Sequence, residues 1–335
     1  MQAFLSAIGM IFGKLMMFIY NTIGFQNYAI ALILFTLVYK LILLPLSIKQ
    51  IKSSQKMQEL QPDLKRMQER YKNDKEKLNE MTMKFYQEKG YNPTSGCLPM
   101  LIQFPIIIAL FYVIRMPMTY MLELPAKAIG EMVIASVDAG EFSKDTLKSK
   151  NYDAIVNDPV QVYKGFDSSD FYFEIKLVDS YKKHPEIIDQ NTTLTPKQKT
   201  TLKKFDITMF KVFNLGIKPS ISPSVILSDP GTYVPALILL LIAVLTTYFS
   251  SLLLMPAVQN KDSKDKNPNA GCAGKSMIYM GPIMTLWICT VAPSGLALYY
   301  TINNILSYIQ QRVMNKMYKK EKEEKQVAKI DSKRS

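Results

Sequence analysis

The sequence has little of the chemistry on which most enzymes and secreted domains depend. Its 335 residues include three cysteines, one histidine and one tryptophan. Because Cys97, Cys272 and Cys289 lie outside the polar segment 116–232, no disulfide framework is available to that segment, and we interpret them as small apolar fillers. His184 is interpreted as a surface residue rather than a ligand. No phosphate-binding loop or metal-ligand spacing is found, so the sequence predicts no cofactor and no metal.

Acidic residues are missing from the long apolar runs, which contain no aspartate, glutamate or histidine. An intramembrane aspartyl protease or a Ser–His dyad would therefore lack its base. Ser294 follows Pro293 at a turn, and we interpret it as a helix cap rather than a nucleophile. The sequence predicts a protein that is not an enzyme.

Apolar residues make up 48% of the chain and are concentrated in runs rather than dispersed. Runs of this length predict an all-α polytopic membrane protein, because helices are the only plausible spanning form here. The five predicted transmembrane helices are 28–46, 97–114, 233–255, 277–291 and 294–311.

Positive charge is unevenly placed along the chain. Basic residues outnumber acidic ones by 11 to 7 in 49–90, by 4 to 2 in 258–276 and by 9 to 4 in 312–335, whereas 116–232 holds 14 basic and 15 acidic residues. The positive-inside rule then predicts a cell-membrane protein with its N-terminus outside and its C-terminus in the cytoplasm. The remaining segments are an interfacial N-terminal helix 1–27, a cytoplasmic helical hairpin 47–92, an extracytoplasmic segment 116–232, a cytoplasmic loop 256–276 and a basic cytoplasmic tail 312–335.

The first predicted span, YAIALILFTLVYKLILLPL, carries Lys40 about 9 Å from its Leu46 end. On this run alone, a lysine that snorkels to the headgroups and a functional lysine are about equally good interpretations. Thr36, Lys40 and Ser47 are spaced by four and seven, which places them on one polar helix face. This face favours a helix that lines a polar cavity.

The polar segments carry weaker patterns. Apolar residues at intervals of three and four from Met57 to Tyr71, resumed from Leu78 to Phe85, predict a helical hairpin in which Pro62 kinks the first arm or starts a new helix. Within 122–205, Thr195-Pro196 predicts a helix start, while DFYFEIKLV alternates like a strand, so a small α+β subdomain is predicted there. The tail lacks apolar periodicity after Tyr318, which predicts disorder.

Two separate stretches of the chain resemble the YidC-type membrane protein insertases of bacteria. They are GYNPTSGCLPMLIQFPIIIALFYVI, with the preceding LILLPLSIKQIKSSQKMQELQPDLKRMQERY, and MIYMGPIMTLWICTVAPSGLALYYTINNILSYIQQ. The resemblance covers 36–115 and about 210–311, so 122–205 looks like an insertion between matched parts. The motif residues that carry it include Gly96, Pro99, Pro105, Pro293 and Gly295.

The resemblance implies an insertase and chaperone that consumes no nucleotide. Such a protein has a positively charged groove that is open to cytosol and lipid. The family's groove arginine falls on Lys40, its polar third-span position on Ser251 and its aromatic last-span position on Tyr300, where the family usually has arginine, glutamine and tryptophan. The spacing of polar residues adds to this set: Thr247 and Ser251 are four apart, and Tyr300, Asn304 and Ser307 step by four and three along one helix face. We expect these faces to converge around Lys40, so the expected groove residues are Thr36, Lys40, Gln103, Thr247, Ser251, Tyr300, Asn304 and Ser307.

The implied partners are nascent membrane proteins, membrane lipid and, through the basic tail and the hairpin, the ribosome. Some family members work beside a Sec translocon, which leaves that partner open, and we expect the chain to act as a monomer. A secondary transporter with a polar midplane site is the main alternative, although the five dissimilar spans show no paired repeats. An interaction scaffold is a third option but needs no buried Lys40. Each polar residue taken singly is also consistent with interhelical packing alone.

Overall fold

A computed structural model describes residues 2–92, 98–142, 148–165, 172–254 and 268–331. Within these ranges the chain is helical apart from loops and one pair of short antiparallel strands, as the all-α prediction requires. The helices are α1 (Gln2–Asn21), α2 (Tyr28–Ile42), α3 (Leu44–Arg70), α4 (Lys75–Glu88), α5 (Leu98–Arg115), α6 (Pro117–Tyr120), α7 (Ala126–Asp138), α8 (Lys148–Asn157), α9 (Val162–Gly165), α10 (Phe173–Lys183), α11 (Glu186–Asp189), α12 (Pro196–Lys204), α13 (Pro223–Ser228), α14 (Pro230–Leu254), α15 (Pro268–Val291) and α16 (Ser294–Asp331). The strands are β1 (Thr208–Met209) and β2 (Phe213–Asn214).

The chain divides into two compact units, which are described separately. The first unit comprises Met1–Thr36, Pro105–Val244 and Met284–Ile302. The second unit comprises Leu37–Phe104, Leu245–Ile283 and Asn303–Ser335.

In the first unit, α1 packs closely against α6. A Cβ at Gly13 would overlap the backbone carbonyl of Tyr120, so only glycine permits this approach. The hydroxyls of Ser6 and Tyr120 lie 3.3 Å apart, and the ring of Phe12 meets Phe35 edge-on at 5.2 Å. One face of α1 is therefore occupied by protein, and its interfacial position remains a prediction.

The secondary structure of the described part of 122–205 is helical, and the strand prediction is wrong for Phe173–Val178, the part of DFYFEIKLV that lies in a described helix. Phe173–Lys183 forms α10, in which Glu174, Leu177, Val178 and Tyr181 are buried. These positions recur with the helical period, and a short apolar run cannot be assigned by alternation alone when its surroundings bury more than one face. The helix start at Thr195-Pro196 is confirmed: Thr195 and Gln198 form a capping box at the beginning of α12.

The two strands form a hairpin with Met209 opposite Phe213, and this hairpin meets the start of α16. The backbone N–H groups of Ser294 and Gly295 donate to the carbonyls of Ile217 and Leu215 at 2.8 and 2.7 Å. Ser294 Oγ donates to the carbonyl of Asn214 at 2.7 Å. The hydroxyl therefore donates to the hairpin, and its role as a helix cap stays a prediction, because a donating hydroxyl can still accept from an N–H group.

The second unit contains the predicted helical hairpin, made of α3 and α4. Leu60, Leu64, Phe85 and Tyr91 form its buried seam, extended by Met57, Met67 and Tyr86. Asp74 caps α4 by accepting from the backbone N–H of Lys77 at 3.0 Å. The helix continues through Pro62, so of the two predicted alternatives the new helix start is wrong and the kink stays a prediction.

The first predicted span ends earlier than the sequence suggested. α2 ends at Ile42, and α3 begins at Leu44 with its axis bent by 67° from that of α2. Pro45 lies in the first turn of α3, where its missing N–H costs nothing, whereas it would remove a hydrogen bond from a continuous α2. Ser47 thus belongs to α3 and does not share a helix face with Lys40.

The basic tail is helical rather than disordered as far as Asp331. Lys319 and Lys320 form i,i+4 ion pairs with Glu323 and Glu324. Near the start of the tail, Gln55 Nε2 on α3 donates to Asn315 Oδ1 at 2.7 Å. Lysine, glutamate and glutamine are good helix formers, so a helix that already runs through the last apolar segment continues into them.

By length and composition, one helix among the described residues can cross a membrane on its own, Pro230–Leu252, and the bent pair α2–α3 counts as a second if taken as one broken span. The shorter apolar helices are Ser6–Asn21, Gln103–Arg115 and Tyr279–Val291. The number of five spans therefore remains a prediction. α15 begins at Pro268, nine residues before the predicted span, so part of the predicted loop 256–276 is helical.

Candidate functional site

Lys40 lies in the second unit and binds the last helix. Its Nζ donates to Ser307 Oγ at 2.6 Å, and Ser307 Oγ donates in turn to the backbone carbonyl of Asn303 at 2.7 Å. Lys40 and Ser307 are each partly buried. Two of the residues that the sequence predicted for the groove are thus in direct contact.

The residues next to this pair strengthen the same helix contact. Tyr39 is buried, and its hydroxyl donates to Asn303 Oδ1 at 2.7 Å. Sequence reasoning missed both residues. Two features of the sequence could have indicated them: Asn303 precedes Ser307 by one helical turn, and Tyr39 is the neighbour of Lys40 in the chain.

A second polar group in the same unit joins α16 to α14. Asn304 Nδ2 lies 2.8 Å from Thr247 Oγ1 and 3.3 Å from Thr246 Oγ1, and Asn304 is buried. Thr246 was not predicted. Because Asn304 and Ser307 are one turn apart on α16, the Lys40 and Thr247 contacts are made by neighbouring turns of one helix.

Ser251 and Thr247 both face Gly281 on α15. A Cβ at Gly281 would lie 3.1 Å from Ser251 Oγ and 3.6 Å from Thr247 Cγ2. The absence of a side chain at this position lets α14 and α15 approach beside the polar group. Tyr248 and Tyr279 stack at 6.3 Å along the same pair of helices.

The polar cluster is defined here as Lys40, Asn303, Asn304, Ser307, Thr247 and Ser251. Within the part of the chain that the structure describes, no carboxylate forms an ion pair with Lys40. An ammonium carries three N–H donors, and the structure shows one acceptor for this one, a neutral hydroxyl. The cluster therefore has net positive charge.

Other predicted residues are placed elsewhere or remain untested. Thr36 belongs to the first unit, is fully buried and donates to the carbonyl of Leu32 at 2.7 Å. Tyr300 also belongs to the first unit, and its ring lies 5.7 Å from that of Tyr299. Gln103 is half-buried on α5 in the second unit. Groove membership of all three stays a prediction.

The motif residues fall into two groups. Pro105 lies inside α5, which continues across it, while Pro293 and Gly295 are buried where α16 begins. A Cβ at Gly295 would lie 3.1 Å from both Ile114 Cγ2 and the carbonyl of Leu215, which explains the glycine. Pro99 is part of α5, and Gly96 lies outside the described residues.

The first unit contains a different buried ionisable group, which the sequence did not indicate. Glu174 is fully buried, and its Oε2 accepts from the backbone N–H groups of Met118 and Thr119 at 2.8 and 3.1 Å. Its Oε1 accepts from Thr119 Oγ1 at 2.5 Å and from the Tyr163 hydroxyl at 2.9 Å. Burial raises the pKa of Glu174 to about 7, and burial also raises the pKa of Tyr163.

The comparisons with known proteins agree with the resemblance noted in the sequence. A family model described as 60Kd inner membrane protein matches residues 18–322. A protein of Clostridium perfringens named membrane protein insertase YidC is 55% identical over 87 residues, which are 26% of this chain and 37% of that protein. A protein of the same name from Fusobacterium nucleatum is 49% identical over 89 residues, which are 27% of this chain and 43% of that protein. Another from Oceanobacillus iheyensis is 45% identical over 93 residues, which are 27% of this chain and 37% of that protein.

The matched segments span about two fifths of the length of these relatives. The family match does not favour the secondary-transporter alternative.

Proposed function

The chain belongs to the 60Kd inner membrane protein family, and from this membership we propose that it is a membrane protein insertase and chaperone of the YidC type. It receives nascent membrane proteins, helps their short hydrophilic tails to enter the bilayer and releases their apolar segments sideways. It acts by binding and solvation, with no catalysed bond chemistry, nucleotide or metal.

The observation that supports this most directly is the contact between Lys40 and Ser307. A cation held among apolar helices by a neutral hydroxyl keeps its charge available to a passing segment. At 4 Å, attraction between this cation and a carboxylate on the substrate is worth about 1 kcal/mol in water and about 4 kcal/mol in a protein-like environment. The cluster thereby lowers the desolvation cost of an acidic tail.

The remaining members of the polar cluster supply neutral hydrogen-bonding groups. Asn303 and Asn304 on α16 and Thr247 on α14 offer amide and hydroxyl groups. A polar peptide that leaves water must replace its hydrogen bonds, because each unsatisfied group costs several kcal/mol in hydrocarbon (about 4–8 in alkane). These side chains provide such replacements.

Sideways release is supported by the exposed apolar faces of two helices. On α14, Ile238, Leu241, Leu245 and Phe249 are exposed at intervals of three and four. On α15, Met280, Ile283, Trp287 and Val291 show a similar exposed row. Rows of this kind suit contact with lipid chains.

The ribosome is the proposed cytoplasmic partner. The hairpin α3–α4 and the end of α16 carry the basic surpluses, and they are joined within the second unit by Lys52–Glu321 at 3.4 Å and by Gln55–Asn315. This basic surface favours contact with ribosomal RNA. The proposal places the N-terminus outside, the C-terminus in the cytoplasm and the chain as a monomer, and it leaves a Sec partner open.

Site-specific photocrosslinking tests the proposed function. A photoreactive residue at Ser251, in the polar cluster, is compared with one at Ile305, an exposed apolar position on α16, in the full chain. With ribosome-bound nascent membrane proteins, we expect the Ser251 probe to capture hydrophilic tails and the Ile305 probe not to do so. Capture of neither tail nor apolar segment by any cluster position would contradict the insertase.

A further inference from the structure

Two phenylalanines stand out as the most exposed large apolar side chains in the described part of the chain. Phe25, in the turn between α1 and α2, is 84% exposed, and Phe210, at the tip of the β-hairpin, is 79% exposed. Both belong to the first unit. Neither ring gains stability by packing against the rest of the fold.

The backbone at both positions is left-handed over two consecutive residues. Phe25 and Gln26 have φ of 52° and 56°, and Phe210 and Lys211 have φ of 54° and 57°. Bulky residues adopt this conformation at an energetic cost that glycine does not bear. A turn shape alone would be better served by glycine, so the exposed ring itself needs an explanation.

Contacts of the first unit place the hairpin base beside the start of α2. The ring of Phe205, three residues before β1, lies 5.6 Å from Tyr20 and 6.0 Å from Tyr28. The Tyr20 hydroxyl donates to the carbonyl of Lys204 at 3.3 Å. Tyr28 is the first residue of α2, and Phe25 precedes it by three residues.

The opposite side of the hairpin touches the start of another apolar helix. Asn214, Leu215 and Ile217 accept the hydrogen bonds from Ser294 and Gly295 at the beginning of α16. The hairpin therefore lies where α2 and α16 both begin. Further along the chain, the exposed Ile221 and Leu227 lead into α14, the helix that can cross a membrane on its own.

We propose that Phe25 and Phe210 insert into the phospholipid bilayer interface at the N-terminal end of α2. Phe210 is followed by Lys211 and by the exposed Val212, so the hairpin tip presents two apolar side chains and one cation. Apolar side chains beside a lysine suit the boundary between acyl chains and anionic headgroups. This inference rests on the proposed membrane placement of α2 and α16.

Tryptophan fluorescence in vesicles tests the inference, because Trp287 is the only tryptophan of the chain. The variants Phe25→Trp and Phe210→Trp are made in a Trp287→Phe background and reconstituted as the full chain in vesicles of phosphatidylglycerol and phosphatidylethanolamine. The acyl chains of these lipids carry bromine either near the headgroup or near the chain end. We expect blue-shifted emission and at least about twofold stronger quenching by the shallow bromine, since interfacial side chains lie roughly 5–10 Å into this boundary.

Two further variants separate failure of the inference from failure of the membrane placement. Leu37→Trp, on the exposed face of α2, should be quenched by the deep bromine, and Thr200→Trp, exposed on α12, should not be quenched by either. If both tip variants behave like Thr200→Trp, or show blue-shifted emission without lipid quenching as a protein partner would cause, the inference is overturned. A loss of Leu37→Trp quenching would instead overturn the membrane placement of α2 on which the inference rests. Unchanged helical circular dichroism identifies the variants that are folded.

Discussion

Glu174 in the first unit and Lys40 in the second are both ionisable groups held within the fold, and their surroundings differ in a way that separates structure from function. Glu174 is fully buried and accepts four hydrogen bonds, two from backbone N–H groups and two from hydroxyls. Lys40 is partly buried and donates to one hydroxyl, Ser307 Oγ.

The difference shows what each group can still do. The Glu174 carboxylate ties α10 to the start of α6, and both of its oxygens are occupied. The Lys40 ammonium carries three N–H donors, and among the described residues the structure shows one acceptor for them, Ser307 Oγ. The ammonium can therefore bind further acceptors. We therefore interpret Glu174 as a structural tie, meaning a side chain whose hydrogen bonds hold two helices together, and Lys40 as the group that contacts the substrate.

The largest expected effect comes from removing the structural tie. Glu174→Ala leaves the backbone N–H groups of Met118 and Thr119 without their acceptor and leaves the partly buried Thr119 and Tyr163 hydroxyls with only each other, which should lower the free energy of unfolding by about 3 kcal/mol. Thermal unfolding in detergent and hydrogen exchange in α10 measure it. The matched control is Glu186→Ala, whose carboxylate is exposed and whose removal should change little. If the two substitutions lower the free energy of unfolding by the same amount, Glu174 stabilises the fold no more than an exposed carboxylate does.

The pH dependence of stability should follow from the raised pKa of Glu174. Because burial raises this pKa from 4.5 to about 7, the folded protein holds a proton between these pH values that the unfolded chain has lost. Stability from this group is therefore greatest below about pH 4.5, falls as pH rises to 7 and is constant above it. The expected fall is about 3 kcal/mol.

Glu174→Gln isolates this contribution, because glutamine has a similar shape and does not titrate. The difference in unfolding temperature between pH 5 and pH 7.5 should be smaller in Glu174→Gln than in the wild type. The same pH dependence in both proteins would mean that other groups cause it and that Glu174 stays ionised when folded.

A smaller effect is expected from the acceptor of Lys40. Ser307→Ala removes one hydrogen bond to a cation that water can also reach, so stability should change by about 1 kcal/mol or less and insertion should be only weakly slowed. Thr301→Ala on the same helix removes a similar hydroxyl-to-carbonyl bond without a cation and is the control. If Ser307→Ala alone costs about 3 kcal/mol, Lys40 is a structural tie like Glu174.

Features specified by nearby residues could be predicted from the sequence. The hairpin α3–α4 followed from apolar residues at intervals of three and four. The capping box at Thr195 is likewise a local signal. In each case the residues that make the contact lie within a short stretch of chain, so their spacing alone constrains the structure.

Features specified by distant residues could not be predicted in this way. Tyr39 and Asn303 are 264 positions apart, and nothing local indicates their contact. Glu174 lies in a run that alternates like a strand, yet α10 forms because Leu177, Val178 and Tyr181 are buried together with the carboxylate. Ser294 donates its hydroxyl to a hairpin 80 positions earlier, a contact that nothing near Ser294 indicates.

The central claim, that Lys40 acts through its charge, is tested most directly by measuring insertion of two substrates that differ only in the charge of their tail. With equal amounts of each variant in the membrane, Lys40→Glu should slow the acidic-tailed substrate by about tenfold, Lys40→Gln should slow it less, and Lys40→Arg should match the wild type or exceed it. The neutral-tailed substrate should be much less affected. Equal insertion of the acidic-tailed substrate by Lys40→Glu and the wild type would contradict the electrostatic account.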